Sequence, residues 1–224
     1  MTRFYVMIGA ILAFDALLLG FLAWAFQSPR FAAHRISDRP AIKVSWPQRL
    51  RVMAVSSVLS LTAIFGSTYV LFDRLVTLDP TPLWKVVLQT AGVLVLYDFV
   101  YYFLHRAMHH KKLMRFVHGV HHRARNPSAL ESFYLHPIEL LAGLALMLAS
   151  TIALGPIHVD AFLAVFFVYS TLNITVHAGV DFPVFWMKPL NFLTRKHHVH
   201  HQDDFAKNFS SLTPLPDLLF GTSS

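Results

Sequence analysis

Residues 84–109 read WKVVLQTAGVLVLYDFVYYFLHRAMH, an apolar run that leads directly into two histidines four positions apart. A helix needs roughly 20 mostly apolar residues to cross a bilayer, and the run from Trp84 to Leu104 has that length. Because residues i and i+4 share one helix face, His105 and His109 are predicted to project together from its end. The stretch therefore predicts a membrane span that ends in a pair of candidate metal ligands.

The composition of the whole chain agrees with a membrane protein. Its 224 residues are 55% hydrophobic, only 14% charged and include no cysteine, and the mean hydropathy is +0.50. Soluble domains average about 25% charged residues, so the composition argues against a soluble enzyme, a disordered chain and a fibrous protein. The lack of cysteine excludes a disulfide scaffold, a thiolate metal site and a cysteine nucleophile. We predict one membrane-embedded domain over residues 1–224.

Four further apolar runs surround the first. Two of them, Phe4 to Phe26 and Leu50 to Phe72, are long enough to cross a bilayer. The other two, Ile138 to Leu154 and Ile157 to Val176, are shorter and are separated by Gly155-Pro156, which predicts a helical hairpin that need not cross fully. The predicted fold class is an all-α integral membrane protein with four to five transmembrane or re-entrant helices.

The basic residues predict the orientation. Six lie from Arg30 to Arg51, six from Arg106 to Arg125 and four from Lys188 to Lys207, whereas the other side receives Arg3, Arg74 and Lys85. Cytoplasmic loops carry the excess of Lys and Arg, so these three segments are predicted to be cytoplasmic. The net charge of +7 then reflects anionic lipid and not nucleic acid. We expect a bacterial inner membrane, or the endoplasmic reticulum in a eukaryote.

Most of the 14 histidines fall into short motifs. An H-x3-H pair is followed by two H-x2-H-H motifs, formed by His105 and His109, by His118, His121 and His122, and by His197, His200 and His201. On a helix each motif aims its imidazoles at one point. Eight clustered imidazoles exceed the four to six or so ligands of a single site, so two metals are predicted on the cytoplasmic side.

The remaining histidines are interpreted one by one. His136 and His177 stand at the two ends of the apolar hairpin, on the same predicted side as the motifs. His34 and His158 are interpreted as interfacial or packing residues, and His110 and His198 are expected to point away from the ligand face.

Together with the histidines, four other segments give the chain a resemblance to the fatty acid hydroxylase/sterol desaturase superfamily. They are YDFVYYFLHR at 97–106, Asn126-Pro127 followed by HPIE at 136–139, HAGVDFP at 177–183, and Asn208-Phe209 followed by DLLFGT at 217–222. The similar region covers about residues 94–222.

The resemblance implies a di-iron centre that uses O2 and two electrons on a lipid C–H bond. It implies as metal ligands the eight motif histidines His105, His109, His118, His121, His122, His197, His200 and His201, together with His177 and His136. The implied reaction is hydroxylation of a fatty acyl, sterol or isoprenoid lipid, with sterol or isoprenoid desaturation as the alternative. Electrons are expected from a separate ferredoxin or cytochrome b5 type protein. Zinc binds imidazole more tightly than ferrous iron, so purified protein could hold zinc.

Acids near the motifs are candidates for orienting the ligands. Asp98 lies two helical turns before His105 inside an apolar run, and Asn208 follows the last motif. Both are predicted to support the metal site. Weaker candidates are Glu131, Glu139, Asp181, Asp203 and Asp204. Asp15 lies inside the first apolar run and is assigned no chemistry.

Two functions from other classes fit parts of this pattern. A histidine-rich metal transporter would also be helical, but transport sites usually lie near the bilayer midplane, whereas these motifs follow the spans. A b-type cytochrome needs single histidines on facing spans, which adjacent triads do not provide.

Overall fold

The computed structural model describes residues 1–38, 42–202 and 206–224. In chain order its elements are α1 (Thr2–Gln27), η1 (Pro29–His34), α2 (Trp46–Val70), α3 (Phe72–Leu75), β1 (Val76–Thr77), α4 (Leu83–Met108), α5 (Lys111–Phe116), η2 (His118–Arg123), η3 (Ala129–Phe133), α6 (Pro137–Ala153), β2 (Ile157–His158), α7 (Val159–Thr175), η4 (Phe185–Met187), α8 (Lys188–His201) and α9 (Leu215–Leu219), where η denotes a 3-10 helix. The predicted all-α fold is confirmed.

Three helices, α1, α2 and α4, are long and apolar enough to cross a membrane. The predicted hairpin forms α6 and α7, of 17 residues each, which at 1.5 Å per residue are roughly 25 Å long. That is shorter than the ~30 Å hydrocarbon core. Large apolar side chains such as Leu17, Val58 and Leu88 face outward, as helices in contact with lipid require.

The hairpin packs at the centre of the bundle. Helix α7 lies against α1 and α4, and α6 lies against α4 and α2. Val93 and Phe162 are fully buried between these helices. By contrast, α1 and α2 have no extended contact along their lengths, although the rings of Tyr5 and Phe65 approach to 6.0 Å near the beginning of α1.

A short parallel strand pair closes the end of the bundle where the hairpin turns. Val76 pairs with Ile157 and Thr77 with His158, which ties the hairpin turn to the connection between α3 and α4. Gly155 has a φ of 84°, a left-handed conformation that glycine adopts at no steric cost. This pairing has no signature in the sequence, since two-residue strands carry no recognisable period.

The opposite end of the bundle gathers the histidine motifs. There α4 ends, α6 begins with Pro137 at its first turn, and α7 ends shortly before His177. The loop after His177 packs closely on the segment before η3. The approach leaves no room for a side chain at Gly179, where a Cβ atom would lie 2.5 Å from the Pro127 carbonyl oxygen. With a φ of 67°, this position favours glycine.

Candidate metal centre

Nine histidines come together in two clusters at this end of the bundle. Cluster A contains His105, His109, His118, His122 and His200, and cluster B contains His121, His177, His197 and His201. Within each cluster one ring nitrogen of every histidine lies within 4.8 Å of those of the others. The rings are buried except for His109 and His197, which are half-buried.

Each H-x2-H-H motif divides between the two clusters, contrary to the expectation that a motif converges on one point. His118 and His122 enter cluster A while His121 enters cluster B, and His200 enters cluster A while His197 and His201 enter cluster B. Residues i and i+4 lie one turn apart on α8, whereas adjacent residues differ by about 100° around the axis. The neighbouring histidines therefore hold the two clusters side by side.

Five histidines are oriented through the Nδ1 atom. His105 Nδ1 donates to the Phe209 carbonyl at 2.8 Å, His121 Nδ1 to the Tyr134 carbonyl at 3.3 Å, His177 Nδ1 to the Asn173 carbonyl at 2.7 Å and His200 Nδ1 to the Lys207 carbonyl at 2.7 Å. His118 Nδ1 donates to Glu139 Oε1 at 2.8 Å. Carbonyl oxygens only accept, so Nδ1 carries the proton in the four rings that face one, and His118 Nδ1 carries it when Glu139 is a carboxylate.

The protonated Nδ1 leaves a lone pair on Nε2 of each of these rings, and the lone pairs face one another. His105 Nε2 lies 3.1 Å from His118 Nε2 and 3.0 Å from His200 Nε2, and His121 Nε2 lies 3.2 Å from His177 Nε2. No proton is available to bridge these pairs. Two ligand nitrogens at right angles around a metal ~2.1 Å away are separated by ~3.0 Å. The donor sets thus have the spacing and charge state of metal ligands.

Burial keeps the imidazoles neutral. It lowers the pKa of His118, His121 and His200 well below the ordinary value, and repulsion from neighbouring histidines lowers it further. The pKa values of His197 and His201 are also well below the ordinary value, primarily because of burial. Neutral imidazole is the form that binds a metal.

Glu139 is the acid that the structure places against a cluster histidine. It lies in the first turn of α6 and is buried, and its bond to His118 forms the carboxylate–histidine arrangement that orients a metal ligand. Glu139 is a weaker candidate than Asp98 from the sequence, because helical spacing relates Asp98 to His105 within one helix but gives no relation between α6 and η2.

Asp98 does not contact His105. It accepts hydrogen bonds from the backbone N–H groups of Ser211, Leu212 and Thr213 at 2.8–3.0 Å and from the Thr213 hydroxyl. The predicted role is therefore corrected: Asp98 anchors the C-terminal segment, residues 206–224, which in turn presents the Phe209 carbonyl to His105.

Asp217 and Asn208 anchor the same segment. Asp217 accepts from Phe209 N–H at 2.8 Å and from Lys196 Nζ at 3.3 Å. Although burial alone would raise it, hydrogen bonds from Ser210 and Thr222 hold the pKa of Asp217 below its usual value. Asn208 has a φ of 58° and donates to the Lys196 carbonyl. It lies between the two residues whose carbonyls orient His200 and His105, so it acts through the backbone.

The structure does not bring the other candidates to the clusters. His136 caps α6, where its Nδ1 accepts from Ile138 N–H at 3.2 Å, so its implied role as a ligand is not supported. Glu131 pairs with Arg49 and Asp181 with Arg195. Asp203 and Asp204 lie outside the described residues. His198 is buried and contacts Gln202, in agreement with the expectation that it points away from the ligands.

A cavity of about 520 Å³ extends from the clusters into the bundle. Its wall includes His105, His118, His121, His177 and His197 at one end. The remaining wall is mostly apolar and comes from α1, α2, α4, α6 and α7, with Leu12, Leu61, Leu144 and Phe166 among its residues. Both α1 and α2 line the cavity, and they make no extended contact with each other.

Comparison with known proteins agrees with this arrangement. A family model described as fatty acid hydroxylase matches residues 90–222. The chain is 33% identical over 205 residues to very-long-chain aldehyde decarbonylase GL1-8 of Oryza sativa subsp. indica, covering 86% of this chain and 73% of that protein. It is 31% identical over 150 residues to methylsterol monooxygenase 1 of Rattus norvegicus, covering 63% of this chain and 48%, about half, of that protein. No solved structure matches the chain.

Proposed function

The chain belongs to the fatty acid hydroxylase family, and from this premise we propose that it is a membrane-embedded, O2-dependent di-iron oxidase that hydroxylates a C–H bond of a lipid. The balanced reaction consumes one O2, two electrons and two protons for each hydroxyl group and water formed. Desaturation of the same lipid would consume the same reactants and form two waters.

One observation carries the proposal: two adjacent clusters of neutral imidazoles, with their lone pairs facing inward, adjoin an apolar cavity. The five histidines of cluster A and the four of cluster B would each hold one iron. The irons would supply the oxidising power that side chains lack. The chain's membership of this family and its apolar cavity favour an oxidase over the metal transporter and the b-type cytochrome.

The protein's own residues orient and enclose the site. The carbonyls of Phe209, Lys207, Tyr134 and Asn173 fix the ring orientation of four ligands, and Glu139 fixes a fifth. The apolar wall of the cavity excludes water from the ligand face, and such a dry site protects a reactive centre from side reactions. We propose that the lipid enters sideways between α1 and α2.

Amino-acid side chains do not supply the two electrons of each turnover, so the proposed reaction needs an electron donor. We propose a separate ferredoxin or cytochrome b5 type donor that approaches the histidine end of the bundle. The concentration of Lys and Arg in the segments at this end supports a cytoplasmic location. A reporter fused after Ser224 and active only in the cytoplasm would test that side directly.

The experiment compares the wild type with a His121→Ala/His200→Ala double variant in iron-supplied membranes. Each substitution removes one ligand from a different cluster. We expect about two metal ions per wild-type chain, and a lipid with one added oxygen that is absent from the variant. A lipid that has lost two hydrogens would assign desaturation instead. A His198→Ala variant is the matched control, since His198 is equally buried but outside both clusters.

Well-folded wild-type protein without bound metal would refute the proposal. So would an unchanged lipid profile when the protein is reduced chemically and supplied with O2 in the lipid extract of its own host. Retention of the lipid product by the double variant would show that the clusters are not the site of the reaction.

A further inference from the structure

One wall of the cavity carries an acid where an apolar lining is expected. Asp15 lies in the middle of α1, is 6% exposed and lines the cavity with Leu12, Ala16 and Leu19. These positions recur at spacings of three and four and so share one face of α1. We propose that Asp15 is a binding site for a hydroxyl group on the lipid that occupies the cavity.

Asp15 retains hydrogen-bonding capacity on the cavity side. Thr171 on α7 donates its hydroxyl to Asp15 Oδ1 at 2.9 Å. The hydroxyl of neighbouring Ser170 lies within hydrogen-bonding reach of both the Phe166 carbonyl, at 2.9 Å, and the Asp15 carboxyl group. A carboxylate offers about four acceptor positions, and Thr171 and Ser170 together occupy at most two. A ligand hydroxyl can occupy another without displacing a contact of the protein.

Packing between α1 and α7 does not by itself account for an acid at this depth. Apolar contacts already join the two helices, including the rings of Phe14 and Phe167 at 5.4 Å and a buried group formed by Leu22 and Ile174. An ionisable side chain inside a span is costly, and such groups usually face a cavity and serve binding. Asp15 meets that description, because it borders the cavity that reaches the metal clusters.

The position of Asp15 defines the class of lipid. Thr171 precedes His177 by six residues, which is roughly 9 Å if the helical rise of α7 is continued past its end at Thr175. A lipid bound at both places has a hydroxyl group separated by about that distance from the carbon beside cluster B. The Asp15 carboxylate accepts a hydrogen bond from an alcohol, whereas the corresponding ether has no O–H to donate. A ligand that carries a carboxylate would be repelled by the negative charge of Asp15. The inference rests on the proposed function in one respect, that the lipid in the cavity is the substrate of the oxidase. Binding of the lipid does not itself require iron.

The test measures binding by purified, metal-free protein in lipid nanodiscs. The probes are 1-hexadecanol, its methyl ether and hexadecanoate, which share one chain length. We expect the wild type to bind the alcohol at least about tenfold more tightly than the ether. One hydrogen bond to a buried charged acceptor accounts for a ratio of this size. Asp15→Leu should reduce that ratio to about one while binding of the ether is retained.

Two further variants separate binding from packing. Thr171→Val removes one hydrogen-bond donor to Asp15 but leaves the carboxyl group, so the preference for the alcohol should persist. Thr90→Val is the matched control, because Thr90 bonds only to the Val86 carbonyl of its own helix and does not line the cavity. The melting temperature of each variant reports folding separately.

Three results would overturn the inference. They are equal binding of the alcohol and ether by the wild type, an unchanged ratio in a folded Asp15→Leu protein, and no binding of any probe. Because iron and O2 are absent from the assay, failure of the proposed oxidation would leave these binding results intact, and failure here would leave the oxidation untouched.

Discussion

Replacing Glu139 by Gln tests how the protein holds its first cluster. The substitution keeps the size of the side chain and an acceptor oxygen for His118 Nδ1, but it removes the negative charge from the 2.8 Å contact. We expect the metal affinity of cluster A to fall and that of cluster B to stay the same, because no cluster B histidine contacts Glu139 in the described structure.

The expected magnitude follows from the type of bond. Both partners are buried, and charge-assisted hydrogen bonds are about twice as strong as neutral ones. Loss of such an outer partner typically lowers metal affinity 10- to 100-fold, which corresponds to about 1.4–2.7 kcal/mol. Glu139 Oε2 has no hydrogen-bond partner among the described residues. The neutral amide therefore relieves a buried charge, and the metal-free protein should not be destabilised.

The assay is competition with a chelator of known affinity, using Co²⁺ or Zn²⁺ on purified protein, with two binding steps resolved. Asp160→Asn is the matched control, because Asp160 also approaches a histidine, His158, at 3.7 Å but is exposed and remote from both clusters. Thermal unfolding of the metal-free proteins accompanies each titration.

Either of two results would refute this reasoning. One is an affinity of the Glu139→Gln protein within twofold of the wild type. The other is an equal loss in both binding steps, which would show general disruption and not the release of one ligand.

Three further predictions concern ligands, the C-terminal segment and pH. His136→Ala should retain wild-type metal content, whereas His201→Ala should lose most of the metal of cluster B, measured by elemental analysis. Asp98→Asn should lower the free energy of unfolding by about 2–4 kcal/mol, because the side chain at position 98 faces three backbone N–H donors. The substitution should also speed tryptic cleavage at Lys207, and unchanged cleavage would contradict the anchoring role. The stability of metal-free protein should fall as pH decreases from 7.5 to 5. Burial lowers the pKa of His109 to about 3 and of His177 to about 4, so unfolded chains take up protons near pH 6.5 while folded ones do not. A melting temperature of the metal-free protein that does not change with pH would contradict this prediction.

The membrane fold was largely predictable from the sequence. The run from Trp84 to Leu104 corresponds to α4 and the run from Phe4 to Phe26 to α1, with ends that differ by a few residues. Apolar runs of about 20 residues are specified locally, since each helix satisfies its own backbone hydrogen bonds. The packing of α6 against α4 and α2 depends on side chains far apart in sequence, and no periodicity indicated it.

The membership of the histidine clusters was predictable from the sequence, but their arrangement was not. Nine of the ten implied histidines lie in the two clusters, yet the division of each triad depends on how η2 and α8 face each other. Asp98 was assigned to His105 from helical spacing, and the structure instead gives that histidine the Phe209 carbonyl. A backbone acceptor has no signature in the sequence, because every residue carries one.

The division of the triads has a consequence for the order of events during synthesis. Both clusters draw on α8, and His105 and His200 also depend on carbonyls at Phe209 and Lys207. The spans from α1 to α7 can enter the bilayer one after another, but cluster B lacks a histidine until His201 has been synthesised, and cluster A lacks the carbonyl that orients His105 until Phe209 has been synthesised. The proposed metal loading therefore follows insertion, and a chain truncated between His201 and Phe209 would contain every histidine of cluster B but would leave His105 of cluster A without its orienting carbonyl.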